Sequence, residues 1–322
     1  MISIENLHKR FGTLVALDGI SLNLGPGELF GFIGPNGAGK STTMKILCGL
    51  MRQDAGDAVV CGFDPRTNPN AVKRCLGYMP DFLGVYDDLT VDEYLQFFAA
   101  AFGIPARNAK RRSVIDSVLQ LTDLTEKRHA MVDSLSRGMQ QRLGVARVLL
   151  HEPKVLLLDE PASGLDPRAR IELREILVTL RQMGKTLMVS SHILSELGEM
   201  CTSIGIIERG KLIYAGSLEQ ALAKSGAGER VAVTLEAATD QLPATSPQQA
   251  ALALEGDPRI ARVTVEDQNL LVDLVPAPIG GRLSHHFLIE KLVACGARIG
   301  SFTPRGVRLE DAFLRLTKGA LN

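Results

Sequence analysis

Eight consecutive residues, Gly34-Pro35-Asn36-Gly37-Ala38-Gly39-Lys40-Ser41, fill every specified position of the phosphate-loop pattern G-x-x-x-x-G-K-S/T. The flanks have the order such a loop requires. The β-prone run Leu29-Phe30-Gly31-Phe32-Ile33 enters it, and Ser41-Thr42-Thr43-Met44-Lys45-Ile46-Leu47 leaves it with helical apolar spacing. A strand, a glycine-rich turn and a helix start together make an anion cradle. Glycines let backbone N–H groups converge on phosphate oxygens, and the new helix contributes the positive end of its dipole. Lys40 then offers a point charge to the β- and γ-phosphates, and the Ser41 hydroxyl a ligand for Mg²⁺. The chain is thus expected to be built around a nucleoside triphosphate site.

The 322 residues suffice for about two domains. Lys plus Arg and Asp plus Glu balance at 36 each, so no global positive field draws the chain to nucleic acid or anionic lipid. The five cysteines, Cys48, Cys61, Cys75, Cys201 and Cys295, are scattered and form no C-x-x-C pair, which points to buried apolar residues in a reducing compartment rather than a disulfide framework or zinc site. Charges at Glu5, His8, Lys9 and Arg10 exclude a secretory leader, and no segment has the apolar length of a membrane span. The expectation is a chain that meets a membrane only through a partner.

Along the chain, the alternation of Ile2 to Leu7 and the strand-like pieces from Leu14 to Leu24 predict a β layer ahead of the loop. Phe11 in that layer is either core or a ring that stacks on a base. From Thr90 to about Leu150 the pattern turns helical, with Thr90-Val91-Asp92-Glu93 as a capping box and Leu95, Phe98 and Phe102 at helical spacing. The helical reading continues over 107–121 and 137–150, making a helical insertion in an α/β core.

Lys154-Val155-Leu156-Leu157-Leu158-Asp159-Glu160 reads as a central parallel strand ending in two carboxylates, where open α/β sheets place their ligands. Asp159 is then a metal aspartate and Glu160 is free to polarise an attacking water. A second buried strand, Thr186 to Ser191, delivers His192 to the same edge, as either a structural or a catalytic histidine. Strand-like segments at 204–207 and 211–214 and a helix at 217–224 close the first unit. Beyond Ser225-Gly226-Ala227-Gly228 the order is strand 230–235, helix 247–254, strands 260–265 and 269–275, helix 282–294, strand 297–303 and helix 308–318. That β-α-β-β-α-β order predicts a small ferredoxin-like α+β domain.

With these pieces in place, residues 1 to about 220 resemble the nucleotide-binding subunit of an ATP-binding cassette (ABC) transporter. The run Leu135-Ser136-Arg137-Gly138-Met139-Gln140-Gln141-Arg142 is similar to that family's signature LSGGQ-QQR. The resemblance implies a phosphate-loop ABC cassette at 1–220, with an antiparallel β layer and a helical subdomain at about 90–150, followed by an accessory or regulatory domain at 221–322. It also implies roles. Phe11 would stack on adenine, and Gly34, Pro35, Asn36, Gly37, Ala38, Gly39, Lys40, Ser41 and Thr42 would hold the phosphates. Asp159 would join Ser41 at the metal, Glu160 would be the base, and His192 would contact the γ-phosphate. Ser136 and Gly138 would bind the γ-phosphate of ATP held by a second copy, and Ser163-Gly164-Leu165-Asp166 would cross between the two.

Two departures stand out. Arg137 and Met139 replace the glycine and glutamine of LSGGQ, while the serine and second glycine remain. In Gly77-Tyr78-Met79-Pro80-Asp81 the family's glutamine is Asp81, expected to keep a metal or water role with altered coupling. The ending Leu309 to Thr317 resembles the tail of single-cassette exporter subunits. The implied function is an ATPase with ATP and Mg²⁺ as cofactors, working as a homodimer on the cytoplasmic face of the membrane, docked on a separate permease and taking no nucleic acid. The rival is an ABC ATPase acting on ribosomes or DNA, which would be expected to carry two cassettes, a basic linker or long insertions.

Overall fold

The computed structural model describes residues 1–305 except 83, 85–87, 106–108, 194–196, 199, 219, 222–228, 237–244 and 276–283. The chain divides into two compact units, Met1–Leu218 and Glu219–Asn322.

The first unit has two sheets. Strands β1 (Ile2–Phe11), β2 (Leu14–Leu24) and β4 (Ala55–Val60) form an antiparallel layer in the order β2-β1-β4. The second sheet has the order β5-β6-β7-β3-β8-β9, with β3 (Leu29–Ile33), β5 (Leu76–Met79), β6 (Val155–Leu158), β7 (Thr186–Ser191) and β8 (Ser203–Glu208) parallel and β9 (Lys211–Ser217) antiparallel at its edge. Every residue of β3, β6 and β7 is buried, as central parallel strands covered on both faces require. Leu17, Ile20, Phe30, Phe32, Met44, Ile46, Leu157 and Met188 belong to one continuous core between the sheets.

Helix α1 (Lys40–Leu47) follows the loop, and α2 (Pro69–Cys75) precedes β5. The helical insertion contains α3 (Val91–Ala101), α4 (Ala109–Leu121) and α5 (Arg137–Leu149), and α6 (Pro167–Gln182) returns to the sheet. The capping box is present: the Glu93 N–H donates to Thr90 Oγ1 at 3.3 Å, and the Thr90 N–H to Glu93 Oε2 at 2.9 Å. Leu95 is buried, but Phe102 is 41 % exposed, because α3 ends before it and its ring stacks on His151 instead. The cysteine expectation needs correction. Cys48 alone is fully buried, and Cys61, Cys75, Cys201 and Cys295 are partly buried free thiols.

In the second unit β10 (Arg230–Leu235), β11 (Ile260–Glu266), β12 (Asn269–Leu274) and β13 (Ile299–Arg305) form an antiparallel sheet in the order β11-β12-β10-β13. Helices α7 (Pro247–Leu254) and α8 (His286–Ala294) bury Leu254, Leu288 and Leu292 against Val231, Val233, Leu270 and Val272. The last strand starts two residues later than its sequence suggests. Gly296 and Ala297 are spent closing α8, their N–H groups donating to Val293 O at 3.0 Å and Leu292 O at 2.9 Å. The expected final helix at 308–318, the ending at 309–317 and residues 219 and 222–224 of the helix expected at 217–224 lie outside the described residues, and Ser217 ends β9 instead of opening that helix. No helix among the described residues is long and apolar enough to cross a membrane.

A candidate functional site at the carboxyl edge of the sheet

Strand register brings the site together. Ile33 pairs with Ser191, Leu158 with Val189 and Met79 with Leu158, so the residues just beyond each strand emerge side by side. The Asp159 N–H donates to Met79 O at 2.8 Å, and the Gly34 N–H approaches Ser191 O at 3.4 Å. The loop itself demands glycine at two places for steric reasons. A Cβ on Gly34 would lie 2.3 Å from Ile207 O, and one on Gly39 would lie 2.7 Å from Ala16 O. Gly39 also has φ +113°, outside the range open to ordinary residues. Helix α1 starts from Gly39 with no side-chain cap, which leaves its first N–H groups directed at the loop.

An open cleft is lined by Phe11, Leu14, Ala16, Pro35 through Thr42, Asp81 and Glu160. The aromatic, the loop, the acid replacing glutamine and the acid after β6 therefore face one space. Phe11 is 45 % exposed, which answers the alternative left by the sequence: the ring is not core. Lys9 lies over it, 5.5 Å from its centroid.

Lys40 is nearly buried, and its ammonium donates to Gly34 O at 2.6 Å and to Pro35 O at 3.3 Å. It also approaches Glu160 Oε1 at 3.1 Å, an ion pair whose angles are not those of a hydrogen bond, so Oε1 has no hydrogen-bond donor. Glu160 Oε2 is 2.8 Å from His192 Nδ1. Glu160 is thus held between two basic groups, not free as its sequence position suggested. It sits at φ +50° in the left-handed region, on a turn closed by Ser163 N–H donating to Glu160 O at 3.0 Å.

Asp159 is 2 % exposed, with Oδ1 accepting from Ser190 Oγ at 2.6 Å. The carboxyl of Asp81 is pushed above its ordinary value, first by partial burial, then by repulsion from Asp159 and Glu160, against the pull of Arg137 and His192. Hydroxyl and carboxylate donors and a local excess of negative charge suit a hard divalent cation. Among the described residues no cluster of three or more His, Cys, Asp or Glu side chains is placed to hold a metal by itself. Ser41 and Asp159 would be the donors to hold Mg²⁺, and Asp81 lines the cleft together with Ser41.

Ser136 and Gly138 do not line this cleft, and neither does Asp166. Ser136 is the N-cap of α5, its Oγ accepting from Met139 N–H at 3.3 Å. Asp166 is the N-cap of α6, accepting from Ala169 N–H at 2.9 Å. A Cβ on Gly138 would lie 2.7 Å from Ala169 Cβ, so the starts of α5 and α6 are in close contact there. The Arg137 guanidinium covers Gly164, where an added Cβ would meet Arg137 Cζ at 2.6 Å. The two departures from the signature's neighbourhood, Arg137 and Asp81, therefore carry opposite charges and act on each other. Sequence reading missed Ser190. Its one signal was a pair of serines ending a fully buried strand.

Comparison with known proteins gives a consistent result. The sequence profile described as "ABC transporter" matches residues 17–163. A Nod factor export ATP-binding protein I from Burkholderia thailandensis is 34 % identical over 317 residues, covering 98 % of this chain and 96 % of that protein. The linearmycin resistance ATP-binding protein LnrL of Bacillus subtilis is 30 % identical over 322 residues, covering 98 % of each. Among solved structures, an ATP-binding subunit of an ABC transporter superposes with a TM-score of 0.63 at 28 % identity, covering 70 % of this chain and 93 % of that one.

Proposed function

The chain belongs to the ABC transporter family as one of its ATP-binding, ATP-hydrolysing subunits, and from that premise we propose that it drives export through a separate membrane permease. One observation carries the site reading: Lys40, Asp81 and Glu160 meet the phosphate loop at one sheet edge, with Asp159 and His192 beside them. In this reading Phe11 stacks on adenine, the N–H groups of Gly34 through Thr42 take the phosphates, and Lys40 moves its charge onto them. Ser41 and Asp159 would hold Mg²⁺, which supplies charge neutralisation for the β- and γ-phosphate oxygens. Glu160 orients and polarises the attacking water, and His192 steadies Glu160 and the γ-phosphate.

Ser136 and Gly138 lie outside the cleft of their own chain, which supports a second copy completing each site as a homodimer. Export is supported by the relatives that are Nod factor export ATP-binding proteins. A cytoplasmic location, peripheral to the inner membrane face, follows from the same reading. Residues 1–220 are the cassette and 221–322 an accessory domain with the ferredoxin-like strand order, serving dimer contact or regulation. The test is purification of the tagged chain from native membranes in mild detergent. A polytopic membrane protein in comparable amount is expected. Recovery of ribosomes or DNA without a membrane protein would overturn the transport reading.

A further inference from the structure

Glu160 and Asp159 are adjacent carboxylates that must point different ways, and a single hydroxyl lies between them. Ser190 Oγ is 2.6 Å from Asp159 Oδ1 and 2.9 Å from the Glu160 backbone N. Ser190 is fully buried in β7, so neither bond competes with bulk water. The directions of these bonds are forced. A backbone N–H can only donate, so Ser190 Oγ accepts from Glu160, and the hydroxyl's one proton goes to Asp159. Asp159 Oδ1 is therefore committed as an acceptor. Glu160 is also the residue at φ +50°, a conformation that costs a non-glycine residue and persists only where its surroundings hold it. The Ser190 hydroxyl takes the N–H of that strained residue.

We propose that Ser190 is a positioning residue for the hydrolytic site, fixing with one hydroxyl both the rotamer of Asp159 and the backbone turn that aims Glu160 between Lys40 and His192. The inference rests on the ATPase reading above and adds to it a fully buried residue outside the lining of the nucleotide cleft. Ser190→Ala removes the oxygen with little change in volume. It leaves the Glu160 N–H buried without an acceptor and frees Asp159 Oδ1 to turn.

The experiment uses the purified chain and three variants, Ser190→Ala, Ser190→Thr and Ser190→Val. Three readouts apply: kcat for ATP, ATP affinity without metal, and Mn²⁺ affinity in the presence of ATP followed by electron paramagnetic resonance. The expected result for Ser190→Ala is roughly a 10- to 100-fold loss in metal affinity and in kcat, the range typical of groups that orient a metal ligand, with metal-free ATP binding unchanged. Ser190→Thr, which keeps the hydroxyl, restores most of both, and Ser190→Val, matched to it in shape, restores neither. A Ser190→Ala variant with wild-type metal affinity and kcat, or Val performing as well as Thr, would overturn the inference and leave the ATPase reading intact. A wild-type chain that turns over no ATP with any divalent metal would overturn both.

Discussion

The ammonium of Lys40 and the carboxylate of Glu160 face each other at 3.1 Å, with only 6 % and 11 % of their side chains exposed. This ion pair joins the phosphate loop to the turn after β6, so the lysine proposed to receive phosphate and the glutamate proposed to handle water are neighbours. Glu160→Gln is expected to lower hydrolysis by about 10²- to 10⁴-fold, the contribution of a general base, while ATP still binds. Lys40→Ala is expected to weaken ATP binding itself. Turnover and nucleotide affinity measured on both variants separate the roles, and normal turnover in Glu160→Gln would refute the assignment.

Phe11 makes a cleaner binding probe, because its 45 % exposed ring holds little of the core together. Base stacking on an aromatic contributes about 1–3 kcal/mol, so Phe11→Ala is expected to weaken ATP by roughly 5- to 150-fold. Phe11→Trp should keep the affinity and Tm should change little in either variant. Equilibrium binding and thermal melts check this, and undiminished affinity in Phe11→Ala would remove the stacking role.

The parts of this site legible in sequence are those written in short runs. The strand of Leu29 to Ile33, the glycine spacing after it, the apolar run ending at Asp159 and the Thr90–Glu93 capping box all depend on neighbours within a few residues. What escaped depends on contacts across long separations. Ser190 reaches Asp159 from 31 positions away. The occupation of Glu160 by Lys40 and His192 is equally nonlocal, and its φ +50° has no sequence mark, since glutamate is not a residue that favours that region. Arg137 was visible as a replaced glycine, but its landing on Gly164 was not. Strand ends slipped for a related reason: Ala297 has a strand-compatible neighbourhood, yet its N–H is claimed by Leu292 O.

Asp81 should reveal itself through pH. Its carboxyl is raised in the fold by partial burial and by repulsion from Asp159 and Glu160, so its ionisation opposes folding. That penalty is absent below the unfolded value of about 4, sets in as pH rises through the raised folded value, and is complete above it. Asp81→Asn is therefore expected to melt higher than wild type at pH 7, with the gap closing toward pH 4. Thermal scans across that range decide, and a gap constant with pH would refute the electrostatic cause. Asp81→Gln and Asp81→Ala test the metal role through the Mg²⁺ dependence of hydrolysis, which should shift in both.

Gly138 has a steric role that can be separated from any phosphate contact. Gly138→Ala would set a methyl 2.7 Å from Ala169 Cβ and is expected to cost about 1–3 kcal/mol in urea unfolding, as overpacking does. Ala169→Gly alone should cost about 1 kcal/mol as a helix glycine. The double variant should be more stable than the sum of the two losses, and strict additivity would show that the methyls do not meet.

Thiol chemistry supplies an independent check on burial. Burial pushes the Cys75 thiol up to about 12, with the Cys61 thiol adding to the rise, and burial raises Cys48 and Cys201 as well. An alkylating reagent at pH 8 should leave these three unmodified in the native chain and label them after denaturation. Rapid native labelling of Cys48, seen by peptide mass mapping, would contradict the packing around α1.

The seat of Arg137 on Gly164 and the contact of Gly138 with Ala169 give α5 and α6 a common pivot at their first turns. A lever hinged there cannot swing alone. A tilt of α5 pulls on the Ser163 to Asp166 turn, and because the Ser163 N–H closes that turn onto Glu160 O, the pull arrives three residues from the carboxylate proposed to handle water. Force applied to the helical insertion thus has a direct mechanical path to Glu160, running through side-chain bulk where the family's usual glycine would leave slack.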